Sequence, residues 1–251
     1  MMDDLGNRMK RQYEDRTRYF LPRRTYTIVR IDGKSFHSFT RGMERPFDKS
    51  LMDMMDETAQ YLCENIQGAQ FAFIQSDEIS LLLTDFEKIT TDAWFDGNIQ
   101  KIVSVSASLA TAKFNHLFSE FVKIPDQPLA MFDARVFTIP DHIEVENYFI
   151  WRQKDAVRNS ISMHAQSLYS HKELEGKSQS DMQELIHLKG QNWNDMPDGF
   201  KRGRLIQYMY EIDINFKTEF DMNERGFWRI NPAPDFLKDR SELSELIPLN
   251  E

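Results

Sequence analysis

Apolar residues recur along the chain with two different periods, and the switches between them predict the order of elements. Residues 3–19 hold few apolar positions and read as a polar helix, with Tyr13 and Phe20 as its docking side chains and Leu21-Pro22 as its stop. Residues 26–32, rich in β-branched and aromatic side chains, predict a central strand. Residues 33–40 read as a turn with a short helical element. Phe47, Leu51, Met54, Met55, Thr58, Leu62 and Ile66 fall at three- and four-residue spacing, which predicts an amphipathic helix with Asp48 or a neighbour as N-cap and Gly68 at its end. Two apolar runs, 71–74 and 79–83, flank Gln75-Ser76-Asp77-Glu78 and predict a hairpin. A second long helix is expected over 93–118, capped by Asp92, with Gly97 in its first turn and Trp94, Ile102, Val105, Leu109 and Ala110 facing the core. Residues 132–139 read as a further strand, stopped by Pro140.

Strand, helix, strand, strand, helix, strand is the split βαβ or ferredoxin-like order. It predicts an α+β fold: an antiparallel sheet with two helices on one face, the arrangement of the catalytic palm of many polymerases and nucleotide cyclases. That likeness is one of fold alone. A long helix over 142–169 follows, with Arg152, Asp155 and Asn159 on one polar face and Arg158 beside them. A shorter helix over 180–189 ends at Gly190. Turns at 194–199 and 223–226 bracket a strand-like 205–213, with 227–230 as its hairpin partner. The expected organisation is a palm-like catalytic domain over 1–140, N-terminal helix included, with 141–251 as a helical and hairpin region packed on it.

Composition sharpens the class. The 251 residues are 41% hydrophobic and 12% aromatic, ample for a packed core and unlike a disordered chain. The lone cysteine, Cys63, excludes an intrachain disulfide and reads as a small buried apolar residue in a reducing compartment. No apolar run approaches the roughly 18 residues that span a bilayer, and the charged N-terminus lacks a secretory signal, so a cytoplasmic protein is expected. The net charge of −9 opposes a polyanionic partner, but its distribution is uneven. Seven cations against two acids lie between Arg8 and Arg24, and Lys201-Arg202-Gly203-Arg204 forms a second basic cluster. Each cluster reads equally as a nucleic-acid surface or as a solvated helix face.

The candidate chemistry centres on Asp32 and Asp77, each at the edge of a predicted apolar strand. Magnesium prefers carboxylate and phosphate oxygens, and two such ions can activate an attacking oxygen and stabilise a leaving pyrophosphate. Asp32, Asp77 and Glu78 are therefore the catalytic candidates, and Asp32, the Gly33 carbonyl and Asp77 the metal ligands. Strand alternation would turn Glu78 away from Asp77, leaving it a supporting role. The amides of Gly33, Lys34, Ser35, Phe36 and His37, in a loop that opens a helix, suit phosphate. Asp-Gly after a strand and Ser-Asp-Glu in a hairpin are also ordinary turn chemistry. The side chain of Phe36 reads as core, that of Trp151 as core, and His37 as a half-buried histidine or a phosphate donor. No Walker loop, zincin or nucleophilic triad is present.

Four blocks in order, Arg30-Ile31-Asp32-Gly33-Lys34-Ser35-Phe36-His37-Ser38-Phe39, Gln75-Ser76-Asp77-Glu78-Ile79-Ser80, Asp133-Ala134-Arg135 and Tyr148-Phe149-Ile150-Trp151-Arg152-Gln153-Lys154-Asp155, resemble the tRNA-His guanylyltransferase family over residues 25–170. The resemblance implies nucleotide addition to the 5′ end of tRNA in the 3′-to-5′ direction, with two magnesium ions and with ATP and GTP or other nucleoside triphosphates as substrates. It implies activation of a 5′-monophosphate, typically by ATP, before attack by the incoming 3′-hydroxyl, and commonly a homotetramer. Asp32, Gly33 and Asp77 match the family's metal positions. Gly33–His37 and Ser76 match its triphosphate loop, Lys101 resembles a phosphate-contacting lysine, and Arg45 a basic position before Pro46. Where the branch that adds guanosine to tRNA-His carries His-Ile-Asn-Asn, this chain has Ala156-Val157-Arg158-Asn159-Ser160. That departure is similar to the guanylyltransferase-like branch, which favours templated repair of 5′-truncated tRNA. Arg152, Asp155, Arg158, Asn159, Lys201, Arg202 and the basic N-terminus are then the expected tRNA contacts. A palm-fold cyclase or dinucleotide synthase, and a non-catalytic RNA- or nucleotide-binding module, stand as alternatives.

Overall fold

The computed structural model describes residues 4–121, 128–211 and 225–250. Six antiparallel strands form one sheet: β1 (Tyr26–Gly33), β2 (Ala69–Gln75), β3 (Glu78–Leu83), β4 (Phe132–Ile139), β5 (Arg204–Glu211) and β6 (Arg225–Pro232). Their order is β4-β1-β3-β2-β5-β6. The first four carry the ferredoxin-like order expected from the pattern, and the β5–β6 hairpin extends the sheet beyond β2, with Ile206 opposite Ala72 and Ile230. Residues 223–224 of the expected turn and 212–213 of the expected strand lie outside the described residues, and Arg225 and Gly226 belong to β6 instead of the turn.

The helices are α1 (Asp4–Met9), α2 (Phe36–Phe39), α3 (Lys49–Asn65), α4 (Ile99–Phe121), α5 (His142–Leu168), α6 (His171–Leu174), α7 (Gln179–Leu188), α8 (Asp198–Lys201) and α9 (Arg240–Leu246). Asp48 caps α3 by accepting from the Leu51 amide, Asp141 caps α5 through the Glu144 amide, and Ser178 with Asp181 closes a capping box on α7. Period-2 alternation splits the strands' apolar side chains between two cores. Val29, Ile31, Ile74, Ile79 and Leu81 pack against Met54, Met55, Leu62 and Phe114 of α3 and α4. Ile28, Phe71, Phe73 and Leu82 pack against Val145, Phe149 and the α9 segment on the opposite face. Both faces are thus covered, and β3 is buried along its whole length. Each fully buried Leu, Ile or Phe contributes about 1.5–3 kcal/mol, so this double burial fixes the strand register that places the site.

Two expected helices are shorter than their patterns. The second long helix begins at Ile99, not 93, because Phe95, Asp96 and Gly97 all take positive φ and the Gly97 carbonyl accepts from the Leu21 amide. Its cap is Asn98, whose Oδ1 accepts from the Lys101 amide. The N-terminal segment is α1, followed by a wider turn (Lys10–Glu14) and a tighter one (Asp15–Thr17). Tyr13 does not dock it; that side chain is exposed, and the segment is held instead through Tyr19, Phe20 and Leu21 against the start of α4.

Candidate active site

Ser76 and Asp77 are the two residues between β2 and β3, with Ser76 in the left-handed region at φ 49. The turn is tied to β1: the Gly33 amide donates to the Asp77 carbonyl at 3.1 Å. Gly33 is required here because a Cβ would overlap the Phe36 ring, which is locked among Phe39, Phe114 and Phe132. Asp32 lies opposite Glu78 on β3 and opposite Asp133 on β4, so three carboxylates share one rung on one face. Burial raises the Asp32 pKa, and the charges of Glu78 and Asp133 add to it against Arg135 and Arg30. Burial pushes Asp77 up to about 6, opposed by its own amide and reinforced by Asp32, with the Ser76 hydroxyl lowering it and Glu78 raising it. The structure therefore brings Asp32 and Asp77 to one rim.

Glu78 is occupied. It is 8% exposed, and Arg152, 5% exposed on α5, grips it with two hydrogen bonds: Nε to Oε1 at 2.7 Å and Nη2 to Oε2 at 2.6 Å. Gln75 Nε2 and the Ser80 hydroxyl also donate to Oε1, at 3.2 and 3.4 Å. Strand alternation is not what sets Glu78 apart, because Asp77 sits in the turn and Glu78 shares the face of Asp32. Its oxygens are simply taken.

The same pairing corrects the expected nucleic-acid contacts on α5. Arg152 is buried and bound to Glu78 and Asp155, and Asp155 accepts from Arg152, Arg158 and Asn159. Burial alone would raise Asp155, but Arg158 and Arg152 hold it below the usual carboxylate range. Arg158 and Asn159 are the exposed members of this group. Lys201 is buried, donating to the Asn194 carbonyl at 2.7 Å and pairing with Asp198 at 3.1 Å. Arg202 pairs with Asp198 at 2.6 Å, and Arg204 pairs with Asp56. Charges clustered in sequence are neutralised by acids that the fold delivers. By contrast Arg8, Lys10, Arg11, Arg16 and Arg18 are all exposed.

The loop after β1 is only partly open to a ligand. The Gly33 and Lys34 amides are used, by Asp77 and by the Met131 carbonyl at 2.8 Å. Ser35 has φ 56, and among the described residues the amides of Ser35, Phe36 and His37 make no hydrogen bond. Phe36 is core, as expected, and His37 is exposed rather than half-buried. Beside the loop lies a cavity of roughly 320 Å³ lined by His37, Arg45, Phe47, Ser76, Asp77 and Asn159 among others. Lys101 does not join these residues. It is thirteen residues before Phe114 on α4, about 20 Å along the helix axis, and its ammonium lies over the Phe95 ring.

The structure adds residues that the pattern did not single out. Arg30 lies opposite Arg135, two residues along the strands from the Asp32–Asp133 pair. Both line an open groove with Asp32, Asp77 and Trp151. Trp151 is 50% exposed, not core, with the Arg152 guanidinium 4.5 Å from its ring centroid. The sequence signal for the arginines was their i, i+2 spacing from an aspartate on each strand.

A family model described as "tRNAHis guanylyltransferase" matches residues 6–140, more than half of the chain. A tRNA(His) guanylyltransferase of Eremothecium gossypii is 30% identical over 223 residues, covering 81% of this chain and 91% of the relative. A bacterial tRNA(His) guanylyltransferase (Thg1)-like protein, solved in complex with ATP, has a TM-score of 0.85 and 45% identity over 98% of this chain and 100% of its own. A bacterial Thg1-like structure in complex with GTP gives a TM-score of 0.82 and 44% identity over the same shares.

Proposed function

The chain belongs to the tRNA-His guanylyltransferase family, and from that premise we propose that it adds nucleotides to the 5′ end of 5′-truncated tRNA, in the 3′-to-5′ direction and directed by the opposite strand. The observation that carries this reading is the Gly33–Asp77 hydrogen bond, which seats the Ser76–Asp77 turn against the end of β1 so that Asp32 and Asp77 share a rim. The relatives solved with ATP and GTP support nucleoside triphosphates as substrates. The higher identity to the Thg1-like structures, and Ala156-Val157-Arg158-Asn159 in place of His-Ile-Asn-Asn, favour repair over single guanosine addition.

Two magnesium ions suit this rim. Asp32, Asp77 and the Gly33 carbonyl are all oxygen donors; burial first, and neighbouring acid charge after it, raises both carboxylates, and a divalent cation relieves that crowding of negative charge. Among the described residues no three His, Cys, Asp or Glu side chains form a ready-made cage, and magnesium completed by substrate phosphates needs none. When bound, the ions supply charge neutralisation at the attacking and leaving oxygens.

The chain's own groups position the reactants. The amides of Ser35, Phe36 and His37, with Ser76 and Arg45, surround the triphosphate beside the cavity. In the first step an oxygen of the tRNA 5′-phosphate displaces pyrophosphate from ATP. In the second, the 3′-hydroxyl of the incoming nucleotide attacks that same 5′-phosphate and AMP leaves. Addition assays on tRNAs with graded 5′ truncations, with each of the four triphosphates, test the reading. Products that follow the opposite strand support it; a cyclic or linked dinucleotide formed from triphosphates alone overturns it.

A further inference from the structure

We propose that the groove of Arg30, Arg135 and Trp151 binds the 5′-phosphorylated terminal nucleotide of the RNA, on the side of the Ser76–Asp77 turn opposite the triphosphate cavity. This rests on the nucleotide-addition reading above. Gln75, Ser76, Asp77 and Asn159 line both the cavity and the groove, so the turn is a shared wall with a space on each side. The two spaces differ in chemistry. The cavity adds Phe47, Met52 and Phe200, suited to a buried base and sugar. The groove adds Arg30, Arg135, Arg152 and an indole, beside the carboxylates Asp32, Glu78 and Asp155, and is open to solvent.

Register explains why the arginines converge. Arg30 and Arg135 are cross-strand partners, as are Asp32 and Asp133 two residues on, so all four side chains leave one face of the sheet. The arginines are under-committed. Arg30 approaches Glu78 only at 4.0 Å, and its buried Nε has no hydrogen-bond partner among the described residues. Among the described residues Arg135 pairs with Asp133 alone, at 3.7 Å with both side chains more than half exposed. The stronger claim on Glu78 belongs to Arg152. A phosphate accepts from a guanidinium at two oxygens. Trp151, half exposed and steadied by Arg152 and by Tyr148 edge-on at 5.9 Å, offers a stacking surface for a terminal base.

The test compares binding of one tRNA acceptor duplex bearing a 5′-monophosphate or a 5′-hydroxyl to wild type, Arg135→Ala, Arg135→Lys, Trp151→Ala and Trp151→Phe, without nucleotide. Arg135 is exposed at a strand edge and Trp151 on a helix surface, and circular dichroism verifies folding. Wild type is expected to prefer the phosphorylated duplex by about tenfold, the scale of one charge-assisted contact. Arg135→Ala erases the preference and Arg135→Lys restores part of it. Trp151→Ala weakens both duplexes and Trp151→Phe retains most binding, while KM for the triphosphate stays at its wild-type value in every variant. An unchanged preference in Arg135→Ala, displacement of the duplex by ATP, or a matching rise in the triphosphate KM overturns the assignment. Wild type that adds no nucleotide yet keeps the phosphate preference would instead overturn the proposed function and leave this site standing.

Discussion

Arg152 and Glu78 join α5 to the strand that begins one residue after Asp77, through two hydrogen bonds of 2.7 and 2.6 Å in a site nearly closed to water. Removing one partner of a buried pair strands the other charge, which costs more than the pair itself contributes. Arg152→Ala is expected to lower unfolding free energy by about 3 kcal/mol or more, measured by urea titration. Replacing both residues, as Arg152→Met with Glu78→Leu, should recover much of that loss. A double variant as unstable as the single would refute the pairing as the origin.

The raised pKa of Asp77 fixes a sign. Its folded value, about 6, lies above the unfolded carboxylate value near 3.9, so between these pH values the folded state holds the extra proton. Stability contributed by this group is full below the unfolded value and falls as pH rises through about 6. Asp77→Asn should therefore stabilise the metal-free protein by on the order of 1 kcal/mol at pH 7.5, with the gain fading towards pH 4.5. Thermal denaturation across that range, with chelator present, checks it; a gain that grows on acidification contradicts the sign.

Gly33→Ala places a methyl group in the Phe36 ring. The ring cannot retreat without disturbing Phe39, Phe114 and Phe132, so a loss of about 1–3 kcal/mol is expected. Nucleotide addition should fall further than stability accounts for, because the amides that follow move with the ring. Denaturant midpoints and turnover measured on the same preparation separate the two effects.

Salt dependence distinguishes exposed cations from neutralised ones. Neutralising Arg8, Lys10 and Arg11, all exposed, should reduce the slope of log Kobs against log salt for tRNA by up to about 1 per residue. Lys201→Ala should leave that slope unchanged, since the ammonium is bound to Asn194 and Asp198, and should instead cost about 1–2 kcal/mol of stability.

The alternation of periods carried the palm order, the cap at Asp48 and the carboxylate pair, because each depends on neighbours within a few residues. Partnerships across the fold were not legible. Arg152 and Lys201 read as nucleic-acid contacts because their acids, Glu78 and Asp198, are assigned only once α5 crosses the sheet and α8 forms. Lys101 read as a phosphate contact through its resemblance to a family lysine, whereas its ammonium lies over the Phe95 ring at the start of α4. Arg30 and Arg135 needed the β1–β4 register before they could be paired.

The most direct measurement is incorporation of a labelled nucleotide onto a 5′-truncated, 5′-monophosphorylated tRNA, with magnesium and ATP, by wild type and by Asp77→Asn. The account predicts that wild type extends the 5′ end by the nucleotides complementary to the opposite strand, while Asp77→Asn, folded and at least as stable at pH 7.5, extends none. Undiminished extension by Asp77→Asn, or no extension of any truncated tRNA by wild type, would contradict it.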